Sequence, residues 1–296
     1  MNSTARTLVA EFVGTFILVL FGCGAVHAAV LTGAQSGLWQ VAIVWGLAVM
    51  FACYLCGGIS GAHINPAITV ALAAWGRFEW SKVAGYVAAQ VAGAFVAAAV
   101  LFVIYAGPLE AKERDRGVTR GSMGSIVTAM CYGEYYPNPG SMAGPPGPWS
   151  DNSWAGYIKQ VPTWRAFLAE VVATAILAMV VFGMGDPRNP TAPPSYLAPV
   201  FVGLTVAALI SVVAPLTQAC FNPARDFGPR LFAYFAGWGS AAIPGPNGHG
   251  FFTVYILAPT VGAVIGGGLY EYLLRPAFNK TPTRRVSEGS AAVTVT

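Results

Sequence analysis

Asn-Pro-Ala stands twice in this chain, at Asn65-Pro66-Ala67 and Asn222-Pro223-Ala224, each time inside an apolar stretch. The residue types suit one purpose. Asn is a strong N-cap, and Pro, with its φ fixed and no N–H, fits the first helical position. Each tripeptide therefore predicts a helix start. Alone, such a tripeptide is an ordinary helix start; two in register within apolar sequence are not. Polar backbone at membrane depth is tolerated only where it is buried in protein or lines a path. The chemistry this allows is recognition and passage of a solute rather than bond making. The sequence offers no nucleophile–base constellation, metal cluster or phosphate-binding glycine loop, so it reads as a non-enzyme without a cofactor.

Other reactive side chains are scattered. Cys23, Cys53, Cys56, Cys131 and Cys220 are odd in number and fall mostly in apolar segments, which argues against a disulfide framework. Cys53 and Cys56 have redox spacing but no strand–helix unit around them. His27, His63 and His249 are far apart, so no metal site is expected. Glu11 and Glu170 are charges in hydrophobic spans, normally a mark of function. Their repeat symmetry favours a supporting role, in which they accept N–H groups from the segments that lead into the two helix starts. A proton relay is the weaker alternative. Gln90 reads as hydrogen-bonded glue between helices, and Gly262 and Gly266 as sites of close helix packing.

The elements that must position these residues are membrane helices. Of 296 residues, 55% are hydrophobic and 9% charged, with a mean hydropathy of +0.59, against roughly a quarter charged in soluble domains. Six apolar runs, about 8–31, 39–58, 83–105, 165–184, 196–214 and 252–274, are long enough to span a bilayer. The first is too long for a signal-peptide core and is expected to be retained. A net charge of +4 spread over termini and loops gives no case for nucleic acid.

The chain is a duplication. Ala10-Glu11-Phe12-Val13-Gly14-Thr15 aligns with Ala169-Glu170-Val171-Val172-Ala173-Thr174, and Glu precedes Asn by 54 positions in one half and 52 in the other. Repeat 1 covers about 8–106 and repeat 2 about 164–275, each with three spans and a half-helix after the second. Three is odd, so the halves are inverted, an arrangement also found in transporters. One membrane domain is expected over 1–296. The Gly- and Pro-rich segment 107–163 reads as an aqueous loop with room for a short helix over the pore mouth. Six spans place both termini on one side with Arg6, Arg77, Lys82, Arg188, Arg275, Lys280, Arg284 and Arg285. Six basic residues lie opposite, Lys112 to Arg165. That bias favours cytoplasmic termini in a cell membrane.

Ser60-Gly61-Ala62-His63-Ile64-Asn65-Pro66-Ala67 and Asn222-Pro223-Ala224-Arg225-Asp226-Phe227-Gly228-Pro229-Arg230 resemble the major intrinsic protein family, the aquaporins and glycerol facilitators. The resemblance spans about residues 8 to 275. It implies an all-α membrane fold with six transmembrane helices and two re-entrant half-helices, assembled as a homotetramer with a pore in each subunit. Asp226 and Arg230 are similar to the glycerol-conducting branch. Carried over, the carbonyls of Gly61, Ala62, His63 and Ile64, and of Thr217, Gln218, Ala219 and Cys220, form a polar ladder. Asn65 and Asn222 cap with their oxygens and keep their amide NH₂ groups free for a passing hydroxyl. Trp45, Ile210, Ala219 and Arg225 form the selectivity filter, and Asp226 joins Glu11 and Glu170 in supporting loops. The pattern departs at Ile210, usually Gly in glycerol facilitators, at Ala219, usually Phe, and at Tyr255, usually Pro. Bulk has changed places within the ring. A thiol at Cys220 offers a target for mercurials.

Three classes of function follow as expectations. The first is a passive channel for glycerol and related small neutral solutes, with water. The second is a channel mainly for water, urea or a metalloid acid. The third is an ion-coupled transporter, which would require titratable groups on the path.

Overall fold

The computed structural model describes residues 3–35, 37–140, 156 and 159–278. Six of its helices are long and apolar enough to cross a membrane: Ser3–Thr32, Leu38–Ser60, Trp80–Ile104, Thr163–Met184, Ser195–Thr217 and Gly250–Phe278. The first starts five residues before its apolar run, because Ser3, Thr4 and Arg6 continue the helix as a polar first turn. The fifth runs on to Thr217, passing through Pro215 close to its end. Lys280, Arg284 and Arg285 of the charge comparison lie outside the described residues.

Two short helices, Pro66–Ala74 and Pro223–Ala233, begin at the two Asn-Pro-Ala motifs. Each Asn is extended and its side-chain oxygen accepts the N–H two residues on, Ala67 at 2.9 Å and Ala224 at 3.0 Å. The half-helices leave their shared starting level in opposite directions. The far end of the first is held where Trp75 Nε1 donates to the Val264 carbonyl and Arg77 Nε to Glu271. The far end of the second is held by Arg230, which donates to the Ala242 carbonyl.

The duplication is visible in the packing. Span three lies so close on span one that a Cβ on Gly93 would stand 2.2 Å from the Phe12 carbonyl oxygen. Span six meets span four in the equivalent way, with a Cβ on Gly262 falling 2.4 Å from the Val171 oxygen. Phe12 and Val171 directly follow the paired Glu11 and Glu170. No side chain fits at either contact, so small residues let the backbones meet where hydrophobic burial alone cannot drive association.

The central segment is only partly an aqueous loop. It opens with a helix at Ala106–Asp115, and residues 124–138 are almost continuously buried. Asn138 accounts for part of that burial: its Nδ2 donates to the Ala214 carbonyl and its N–H to Leu216, capping the last carbonyls of the fifth span. The stretch Gly144-Pro145-Pro146-Gly147-Pro148 lies outside the described residues.

Candidate functional site: two converging helix starts and an arginine ring

The segments leading into the half-helices have an unusual and repeated backbone. Gly61, Ala62 and Ile64 have positive φ in the first, and Gln218, Ala219 and Phe221 in the second. His63 and Cys220, the third position of each segment, do not share it. For the five residues that are not glycine this left-handed conformation costs about 1–2 kcal/mol each. Such strain persists only where surroundings over-determine it.

Glu11 and Glu170 supply that determination, and both are fully buried at 0% exposure. Glu11 Oε1 accepts from Ser60 Oγ at 2.6 Å and the His63 N–H at 2.9 Å. Its Oε2 accepts from the Ile64 N–H and Gln90 Nε2, both at 2.7 Å. Glu170 Oε1 accepts from Thr217 Oγ1 at 2.6 Å and the Cys220 N–H at 3.0 Å, and Oε2 from the Phe221 N–H at 2.9 Å. With its N–H groups turned toward the glutamate, each segment is free to direct carbonyls elsewhere.

The two starts meet. Asn65 Nδ2 donates to the Phe221 carbonyl and Asn222 Nδ2 to the Ile64 carbonyl, each at 2.8 Å. This corrects the expectation that both amide groups are free: one N–H of each is engaged across the junction, leaving one for a solute. It also takes one of the two acceptor sites of the Ile64 carbonyl. Tyr255 Oη takes one at Thr217, donating to its carbonyl at 3.1 Å. Tyr255 is fully buried behind the second segment, within a π-helical turn of the last span. Cys220 Sγ lies against the Asn222 and Tyr255 carbonyls at 3.3 and 3.5 Å, so its thiol is turned into protein.

A cavity of about 270 Å³ runs past this junction. Met184, Gly185 and Ser195 line one end, Asn65 and Asn222 the middle, and Trp45, Ile210, Ala219 and Arg225 the other. Apolar side chains such as Val49, Ile68, Leu177 and Val206 make up much of its wall. The guanidinium carbon of Arg225 stands 4.1 Å from the centre of the Trp45 ring. Gly22 backs that ring closely, since a Cβ there would lie 2.2 Å from it.

A further residue reaches the ring from the central loop. Glu134 Oε1 forms an ion pair with Arg225 Nη1, both side chains being almost wholly buried. The loop is held there by the residues that follow Arg225 in the motif. Asp226 Oδ1 accepts the Glu134 N–H at 2.6 Å, and Arg230, paired with Asp226, donates to the Glu134 carbonyl. Asp226 thus supports the central loop rather than the re-entrant segments. Gln218 adds a second clasp, accepting from the Tyr135 N–H at 2.8 Å and donating to the Met130 carbonyl. Burial pushes the Tyr135 phenol up to about 12 despite nearby Arg230, so it stays protonated and donates to Ala241. Sequence reasoning missed Glu134. The available signal was one acidic residue within Tyr132-Gly133-Glu134-Tyr135-Tyr136, an aromatic run inside a loop otherwise built for turns.

At the opposite end Asp186 collects Arg188 and Arg275 at 3.3 and 2.9 Å, and Glu271 binds Arg77 and Arg275. Burial tends to raise the Asp186 carboxyl, but the N–H and guanidinium of Arg188 outweigh it, with help from Tyr270, and hold it below its ordinary value. Among the described residues, no group of three or more His, Cys, Asp or Glu is placed to hold a metal ion.

Comparison with known proteins agrees with this geometry. The chain is 41% identical over 265 residues to the glycerol uptake facilitator protein of Pseudomonas aeruginosa, covering 90% of this chain and 87% of that one. It is 40% identical over 275 residues to a propanediol uptake facilitator of Citrobacter freundii, covering 93% and 94%. The fold matches the X-ray structure of the aquaglyceroporin from Plasmodium falciparum with a TM-score of 0.76 at 24% identity, over 94% of this chain and all of that one. The family model described as major intrinsic protein matches residues 1–270, and the chain belongs to that family.

Proposed function

We propose that this chain is a passive channel that carries glycerol, related small neutral solutes and water across a membrane. The observation that carries the reading is the crosswise pairing of Asn65 and Asn222 in the middle of a cavity that ends at Arg225 and Trp45. Two positive helix ends converge there, each equivalent to about half a charge, and they disfavour cations and protons. Each Asn keeps one N–H for a solute oxygen. Carbonyls of Gly61, Ala62, His63, Gln218, Ala219 and Cys220, with the second acceptor sites of Ile64 and Thr217, offer acceptors before and after that point, while the wall opposite is apolar. A polyol, with an O–H face and a C–H face, fits such a duct. The relatives named as glycerol and propanediol uptake facilitators support the same solute class.

Trp45, Ile210, Ala219 and Arg225 act as the filter in this reading. Arg225 donates to hydroxyls and Trp45 presents a flat apolar face to carbon. The protein works as a homotetramer with a pore in each subunit and with its termini in the cytoplasm. No ion coupling is required, and the chain is not an enzyme. A second reading, a channel chiefly for water, draws on the stacking of the Arg225 guanidinium 4.1 Å over the Trp45 ring, which leaves less of the indole face for a solute's carbons. Stopped-flow light scattering on proteoliposomes separates the two. Glycerol uptake well above that of empty vesicles supports the first; fast water flux with glycerol at background supports the second.

A further inference from the structure

We infer that a groove on the outer face, between the start of the first span and the end of the second, is a binding site for an anionic phospholipid. Arg6 and Ser3 hold the headgroup, and the apolar trench beside them takes an acyl chain. The site is independent of which solute the pore carries.

The groove has a volume of about 1000 Å³, at the upper end of the roughly 300–1,000 Å³ usual for ligand pockets. Its two ends differ in chemistry. Ser3 and Arg6 stand at one end, both exposed. Val9, Val13, Leu55 and Ile59 wall the rest and are exposed apolar side chains. Gly58 lines it too, and a Cβ there would meet nothing within 4 Å, so the trench is open. From Arg6 to Val13 the first span rises about 10 Å, along which an acyl chain can lie.

The charge at the head of the groove is unanswered. Arg6 makes no ion pair or side-chain hydrogen bond among the described residues. The first turn of its 25-residue helix holds no acidic residue, and the unpaired N–H groups of that turn point out of the same end. Both features favour an anion there. A second copy of this chain is a poor source of one. Among the described residues, the carboxylates on that side are Glu79, Asp186 and Glu271. They are already paired with Lys82, with Arg188 and Arg275, and with Arg77 and Arg275. A phospholipid brings a free phosphate joined to an apolar chain, in the order in which the groove presents Arg6 and its trench. Basic sites between membrane helices suit such headgroups.

Buried Ala10 and Cys56 form the floor of the groove, and that floor is the back of the first clasp. Ala10 immediately precedes Glu11, and Cys56 lies one turn before Ser60, which donates to Glu11. A lipid seated here closes the outer side of the span pair whose inner side holds the first entering segment. It therefore stabilises the fold from outside.

The test uses the purified full-length chain in detergent, titrated with phosphatidylglycerol or with phosphatidylcholine of the same acyl chains. Unfolding temperature and lipid retained per chain, counted by native mass spectrometry, are read together. Phosphatidylglycerol is expected to be retained more tightly and to raise the unfolding temperature more. Arg6→Gln should cut that preference by about fivefold, the weight of one basic residue beside anionic lipid. Lys82→Gln removes a charge on the same side but outside the groove, and should leave the preference within about twofold. Gly58→Leu fills the trench without touching the charge, so it should weaken retention of both lipids. Equal retention of the two lipids by the wild type, or an unchanged preference in Arg6→Gln, would overturn the inference. So would equal stabilisation by inorganic phosphate, which has no chain to seat. Loss of subunit association in Gly58→Leu with the phosphatidylglycerol preference intact would also overturn it, since a second copy would then cover the groove.

Discussion

Asn65 and Asn222 each donate an amide hydrogen to the carbonyl immediately preceding the other, at 2.8 Å in both directions. The relationship closes a loop of dependence. Each Asn caps its own half-helix with its oxygen and ties down the opposite entering segment with its nitrogen. The level where the two halves meet is therefore fixed by side chains as well as by packing.

Asn222→Ala removes an N-cap, worth about 1 kcal/mol, and leaves the Ile64 carbonyl without its donor, worth about 1–3 kcal/mol. Thermal unfolding of the purified protein should drop accordingly, and glycerol flux should fall with it. Unchanged unfolding and flux would show that the cross-tie carries no weight.

Gly22→Ala tests the ring from behind. The added methyl would sit 2.2 Å from the Trp45 ring, so the indole must move, and Arg225 stands on its face. Glycerol flux should fall by about tenfold or more, the scale of one methylene in a fitted site, while water, being smaller, loses less. An unaltered glycerol-to-water ratio would mean that the indole does not border the path.

Glu170→Gln separates support from proton relay. Glutamine keeps one acceptor oxygen but turns an NH₂ toward donors from Thr217, Cys220 or Phe221. The mismatch should cost about 3 kcal/mol, read as a lower unfolding temperature, and Glu11→Gln should behave alike. A relay carboxylate would instead keep the fold and change only a proton dependence of transport.

Asp186 gives a pH dependence with a definite sign. Its carboxyl is held below the ordinary value, so the stabilisation is present above the unfolded pKa, about 3.9, and is lost as pH falls through the lower folded value. Unfolding temperature should therefore decline below about pH 4. Asp186→Asn should remove that portion of the decline and cost on the order of 2 kcal/mol at neutral pH. A variant with the wild-type acid profile would contradict the assignment.

Much of this was legible because it depends on local rules. Asn before Pro marks a helix start, and twenty apolar residues mark a span; both hold whatever the neighbours are. The roles of Glu11 and Glu170 followed from their repetition at matching distances from the two motifs. What escaped notice depends on contacts distant in sequence. Glu134 reaches Arg225 from 91 positions away, through a loop with no regular periodicity. The engagement of the Asn amides needed the halves docked, because their acceptors belong to the opposite repeat. Tyr255, a departure from the proline usual in the glycerol branch, has its place set by a π-helical turn that aims it behind the Thr217 carbonyl.

A swelling series on proteoliposomes shows whether neutral solutes cross by a continuous, uncoupled route. With water, glycerol, urea and longer polyols offered in turn, glycerol should enter far faster than into empty vesicles. Its rate should fall as polyol length grows and should not respond to proton or sodium gradients. Glycerol entry at the empty-vesicle rate, or entry that follows an ion gradient, would mean that no such route exists.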